Sequence, residues 1–381
     1  MAARQNEMLI IESMFYDGYE YKEMVQMLKT QHGIEISLST LKRRLKAYNL
    51  RRNNIEFDPV PLREMIAELL DGPGGSQGYR SIWHTLEQRG ERVPRREVEN
   101  IVRELDPEGV AERKAHRLRR REYICPGPNK VWHADGYEKL KPFGFPIHGC
   151  IDGFSRKVLW LCVTRSNNLP YNVAAHYLDA VRELGGCPRQ LYTDLGTENG
   201  LMAGTHCFFR SDPDSHKYVP SPRNQRIEGW WSFFRKHWAS WWINLFKDMC
   251  DNGALNMADQ LQSECLWFCF AGVLQKELDE VKNCWNTHYI RKSRFETVAG
   301  RPNSLYSIPE YHGGIGNLIV PVSPAEMDYA YNHLIDRPTQ VTDYSEYCQY
   351  VINGLGLDIP QGWREAYILY MAITHVAVHG N

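Results

Sequence analysis

Over the first hundred residues the apolar positions recur every three or four residues, the period of amphipathic helices. Two groups of three helices are predicted. The first comprises MLIIESMFYDGY, YKEMVQMLKTQHG and ISLSTLKRRLKAYNL, the last opening with Ser and Thr suited to capping. The second comprises VPLREMIAELL, GYRSIWHTLEQRG and VPRREVENIVREL, and the glycine-rich GPGGSQG near residue 72 reads as a flexible join. Beyond residue 130 the pattern changes. VWHADGYEKL reads as a strand with Val131, His133 and Asp135 on one face. FPIHGCIDGFSRKVLWLCVTRSNN reads as a hairpin turning at Asp152-Gly153-Phe154-Ser155. A helix then runs to the stop Gly185-Gly186, and a short strand ends at Asp194 in QLYTDLGTENG. PSPRNQRIEGWWSFFRKHW opens a long aromatic helix that carries Glu228.

Three acids fall at element ends in this pattern. Asp135 and Asp194 are separated by 58 residues, and Asp194 and Glu228 by 33. Two strand ends and one helix can bring three carboxylates to one point. Like charges a few ångströms apart raise one another's pKa, and Mg²⁺ or Mn²⁺ relieves that conflict with hard oxygen ligands. Asp152 is a rival acid, but before Gly153 it reads as a turn residue. Glu198 and Asp179 are further acids with loop and helix-face readings.

The order strand, hairpin, helix, strand, loop, helix is that of an α/β ribonuclease-H-like fold, expected as a mixed five-stranded sheet with flanking helices behind an all-α helix-turn-helix region. Together with the IDGFSRKV, GGCP, TDLGTEN and SPRNQRIEGWW segments, it resembles the catalytic core of retroviral integrases and related DDE transposases. The last segment looks most like the integrase-core proteins of animal genomes outside retroviruses. GYRSIWHTLEQRGERVPRREV resembles the segment preceding the core in bacterial insertion-sequence transposases. The resemblance implies that Asp135, Asp194 and Glu228 are catalytic residues holding two Mg²⁺ (or Mn²⁺) ions. It implies metal-dependent cleavage and strand transfer of double-stranded DNA by a transposon-derived homo-oligomer. A catalytically silent, domesticated DNA-binding protein and a ribonuclease-H-like nuclease are the alternatives. Arg226 is a departure, since many relatives carry Gly there, and no paired His and Cys arrangement marks the zinc module that retroviral integrases carry at their N-terminus.

Net charge is −1, so the bulk electrostatics do not announce a nucleic-acid partner. The distribution is more informative. Basic residues cluster in LKRRLKAYNLRR and RKAHRLRRR, giving Lys42, Arg43, Arg44, Lys46, Arg51, Arg52, Arg113, Arg117, Arg119, Arg120 and Arg121 as expected DNA contacts. Arg235 and Lys236 interrupt the aromatic helix and join them. Most of the aromatic residues in that helix read as core or interface. The ten cysteines read as thiols of a reducing compartment, and Cys265 and Cys269 as core. No apolar run reaches the ~20 residues of a membrane span and no signal peptide is evident, so a nuclear protein is expected. The expected domains are a helix-turn-helix at 1–55, a second such unit with a basic linker at 56–122, the core at 123–303, and a C-terminal extension at 304–381 packed on the core and without chemistry of its own.

Overall fold

A computed structural model describes residues 2–50, 57–71, 77–114, 123–292, 298–333 and 343–379. The join near residue 72, most of the basic linker, and Arg51, Arg52, Arg117, Arg119, Arg120 and Arg121 lie outside these residues. The N-terminal part is all helical. Helices α1 (Ala2–Tyr16), α2 (Tyr21–His32) and α3 (Leu38–Ala47) close around Ile11, Met24, Leu28, Leu41 and Leu45. Helices α4 (Pro59–Leu70), α5 (Tyr79–Gln88) and α6 (Arg95–Leu105) close around Leu62, Ile66, Ile82, Leu86, Val98 and Val102, and a short α7 (Pro107–Lys114) follows. Ser37 caps α3 by accepting from the Thr40 backbone N–H at 3.2 Å.

The central part contains β1 (Val131–Tyr137), β2 (Ile147–Asp152), β3 (Val158–Val163), α8 (Pro170–Leu184), β4 (Gly186–Cys187), β5 (Gln190–Thr193), α9 (Gly200–Arg210), β6 (His216–Tyr218) and α10 (Gln225–Phe234). A π-helical turn, Arg235–Ala239, joins α10 to α11 (Ser240–Asp251), and the long α12 (Gln260–Thr287) follows. The five-stranded sheet has the order β3-β2-β1-β5-β6. β1, β2 and β3 pair antiparallel, whereas β1–β5 and β5–β6 are parallel. This is the mixed sheet of a ribonuclease-H-like core. Gly185, with φ of 70°, ends α8 in the left-handed conformation that Gly adopts without steric cost.

Strand alternation divides the interior into two layers. Trp132, Ala134 and Cys150 face α8 and α9, packing with Tyr177, Leu178 and Met202. Tyr137, Ile147, Ile151 and Leu161 face the other way, against the aromatic helices and α12. Trp230, Trp242, Phe234, Phe246 and Phe270 are fully or almost fully buried there. Each such indole contributes roughly 4–6 kcal/mol of transfer free energy before the conformational entropy of ordering is subtracted.

The C-terminal part comprises α13 (Pro302–Ser307), β7 (Val320–Pro321), α14 (Pro324–Asn332), α15 (Asp343–Leu355) and α16 (Trp363–His379). β7 pairs with β4 to form a second, two-stranded sheet. Cys348, Val351, Ile352, Leu369, Tyr370 and Ile373 complete the layer over α12. Among the described residues no helix is long and apolar enough to cross a membrane.

The first helical unit docks on α13 through a buried carboxylate. Glu23 on α2 is 3% exposed, accepts from the Ser304 hydroxyl at 2.9 Å and pairs with Arg301 at 3.5 Å. Removing one member of such a pair leaves the other buried and uncompensated. Glu23→Ala is expected to destabilise the chain by about 3 kcal/mol, measured as a lowered midpoint in urea. An unchanged midpoint would show that the docking contact carries no net stability.

Candidate active site

β1 and β5 run parallel with His133 opposite Tyr192. Asp135 and Asp194 each follow two residues later, so both carboxylates emerge at the same end of neighbouring strands. Adjacent strands lie about 4.8 Å apart, which accounts for the proximity. Glu228, in the first turn of α10, supplies the third acid. All three are partly buried.

The carboxyl of Asp135 is pushed up to about 7, first by its own burial and then by the negative charges of Glu228 and Asp194; the Trp231 indole and the Gly136 backbone N–H pull the other way. That response brings the three acids into one electrostatic neighbourhood. The Trp231 indole donates to Asp135 Oδ2 at 2.9 Å. Asp194 Oδ1 accepts from Asn199 Nδ2 at 2.7 Å and from the Gly196 backbone N–H at 3.3 Å. In this conformation no group of three or more His, Cys, Asp or Glu side chains among the described residues is drawn together tightly enough to hold a metal ion. The donor set itself suits a divalent cation, because it is all carboxylate and its members repel one another.

A neutral network fixes the start of α10 against β1. Asn224 is 1% exposed, and its amide donates to the Ala134 carbonyl at 3.1 Å. Its oxygen is therefore left to accept from His133 Nδ1 at 2.8 Å, and His133 Nε2 takes the Tyr123 hydroxyl at 2.8 Å. Burial pushes His133 down to about 4, so it is neutral at physiological pH. With both ring nitrogens engaged, His133 is a structural member of the site and not a ligand. Arg226 donates through Nε to the Gly153 carbonyl at 2.9 Å and lies over the Tyr123 ring. Asp152 is fully buried, accepting from the Asn129, Phe154 and Ser155 backbone N–H groups and the Ser155 hydroxyl. It organises the hairpin turn, as its place before Gly153 suggests.

Residues 122–307 match the integrase core domain. The chain contains an integrase/transposase-like core. No curated protein matches it. The basic residues singled out by sequence are dispersed. Lys42, Arg43 and Lys46 are exposed on α3, while Arg44 is half-buried and pairs with Glu7 of α1. Arg113 falls in α7, but its side chain is outside the described residues. Arg235 and Lys236 are exposed on the π-helical turn, about two turns beyond Glu228. Insertions of this kind in a helix recur at functional sites.

Sequence reasoning missed Trp231, Asn199 and Asn224 as members of the site. The signal for Trp231 was its place three residues after Glu228, which puts both on adjoining positions of one helix. A pH prediction follows from the Asp135 environment. An ordinary Asp titrates near 3.8, so the raised folded value means that ionisation opposes folding. Stability from this group is fully present below about pH 4 and is lost as pH rises toward 7. In metal-free buffer Asp135→Asn is therefore expected to be more stable than the wild type at pH 8 by on the order of 2–4 kcal/mol. Denaturant melts across pH should show the gap closing below pH 4; a gap independent of pH would contradict this electrostatic account.

Proposed function

We propose that the chain is a DDE-type integrase/transposase-like enzyme that cleaves and joins strands of double-stranded DNA, with Asp135, Asp194 and Glu228 as its catalytic acids and metal ligands. The observation that supports this reading is the shared electrostatic neighbourhood of Asp135 and Asp194, at the same end of the β1–β5 parallel pair, and Glu228 in the first turn of α10. Asp135 and Asp194 would each hold Mg²⁺ or Mn²⁺, and Glu228 would complete one of the two sites. When bound, two such ions supply Lewis-acid activation of an attacking oxygen and stabilisation of the leaving oxygen in an in-line displacement. The protein's share is orientation. β1 and β5 set the spacing of the two aspartates, and the Asn224–His133–Tyr123 network fixes the helix that presents Glu228.

The basic surface fits the same substrate. Arg235 and Lys236 extend from Glu228 along the exposed side of the helix, where phosphates of the reacting strand would lie. α3, preceded by α2 in helix-turn-helix order, presents Lys42, Arg43 and Lys46 to a duplex. Holding two DNA ends calls for a homo-oligomer, and the substrate calls for action in the nucleus; both belong to this reading. One observation favours a second reading, a DNA-binding protein without turnover: Asp194 turns one oxygen to Asn199, and the acids are not gathered tightly in this conformation.

The two readings separate in a Mn²⁺-dependent nicking and strand-transfer assay on supercoiled plasmid, with DNA binding followed in parallel. Activity in the wild type and at least a hundredfold loss in Glu228→Gln, with binding retained, is expected; equal inactivity of both with binding retained would favour the silent protein. For the DNA surface, Lys42→Glu combined with Arg43→Glu should weaken duplex binding and reduce the slope of log K against log salt by about 2. An unchanged slope would remove α3 from the interface.

A further inference from the structure

We propose that Trp231 is a positioning residue for metal binding, aiming the Asp135 carboxylate from the same helix that carries Glu228. This rests on the reading of Asp135 and Glu228 as metal ligands. Trp231 is 6% exposed, and its indole N–H donates to Asp135 Oδ2 at 2.9 Å. A buried indole N–H needs an acceptor, and any carbonyl would satisfy it. Here the acceptor is a carboxylate at the centre of the acidic site. The bond fixes one oxygen of Asp135 and so restricts the rotation of the whole group.

The ring has little freedom to move away. It is in contact with Tyr137, Trp230 and Phe234, at ring-centre separations of 5.2, 5.0 and 5.6 Å. Its far edge lies over Gly149, the residue directly opposite Asp135 in the β1–β2 register. A Cβ at position 149 would come within 2.8 Å of Trp231 Cη2 and 3.3 Å of a Leu161 methyl. Glycine at that position therefore opens the slot in which the indole reaches across the sheet to Asp135. Trp231 stands three residues after Glu228, on adjoining positions of α10, so one rigid helix presents one acid and orients another.

Trp231→Phe keeps the aromatic packing and deletes the donor. Gly149→Ala keeps the donor and pushes the ring from behind. Both are tested in the full chain, with Mn²⁺ alone as the probe, by electron paramagnetic resonance titration and by thermal melts without metal. Trp231→Phe is expected to weaken Mn²⁺ binding about tenfold, the usual cost of losing a hydrogen-bond partner of a metal ligand, while its metal-free melt stays near that of the wild type. Gly149→Ala should weaken binding in the same direction, and it carries the test should Trp231→Phe fail to fold. Wild-type Mn²⁺ affinity in both variants, with binding abolished in Asp135→Asn, would overturn the role of Trp231 and leave the metal site standing. Wild-type affinity in Asp135→Asn itself would overturn the site reading and this inference with it.

Discussion

The attachment of α10 to β1 is the contact on which the site depends. Glu228 belongs to a helix and Asp135 to a strand, so their separation is set by whatever locks the two elements together. Asn224, His133 and Tyr123 do this with neutral, buried hydrogen bonds at 2.8 Å on both sides of the imidazole. Trp231 adds a second anchor about two turns along the helix. Neutral partners suit this task, because a charged clamp beside three carboxylates would compete for them or neutralise them. The depressed pKa of His133 keeps the clamp uncharged.

The same geometry creates an electrostatic cost. Burial and two neighbouring acids raise Asp135, and nothing in the described surroundings carries a positive charge large enough to cancel them. A fold that tolerates such a cluster must stabilise it by packing elsewhere. The aromatic layer over β1 to β3 supplies that stability: Trp230, Phe234, Trp242, Phe246 and Phe270 tie α10, α11 and α12 into one body. Trp238 and Trp242 both donate to Glu277 on α12, at 2.9 and 3.1 Å, so the aromatic helix is also held in register by a half-buried carboxylate. The electrostatic cost at Asp135 is thus offset by the packing of a rigid aromatic layer.

Much of this was legible in the sequence, for physical reasons that also explain the omissions. β1, the hairpin of β2 and β3, α8 and β5 have clear periodicity and glycine stops, and their order is sufficient to reveal an integrase-like core. β6 is three residues, His216–Tyr218, with an exposed polar edge and no alternation to detect. α9 starts at Gly200 and contains Gly204, so local propensity argued for a loop; packing of Met202 and Phe209 against α8 overrides it. The three acids were visible because strand ends and a helix start are local features. The bond from Trp231 to Asp135 spans 96 residues, and the helical spacing of the tryptophans read as core, which they also are. The two-residue β4 and β7, and the way α15 and α16 complete the α12 layer, are tertiary facts without a local signal.

On the proposed function, the arrangement would couple a duplex-facing surface to a reaction centre. α2 anchors the first helical unit to α13 through Glu23, leaving the basic side of α3 exposed, while Arg235 and Lys236 lead along the aromatic helix to Glu228. On this proposal Asp135, Asp194 and Glu228 share one metal centre. Anomalous diffraction from crystals soaked in Mn²⁺ tests it most directly. Manganese bound by these three carboxylates at the end of β1 and β5 is expected; saturating Mn²⁺ that binds elsewhere, or leaves the three acids without metal, would contradict the shared centre.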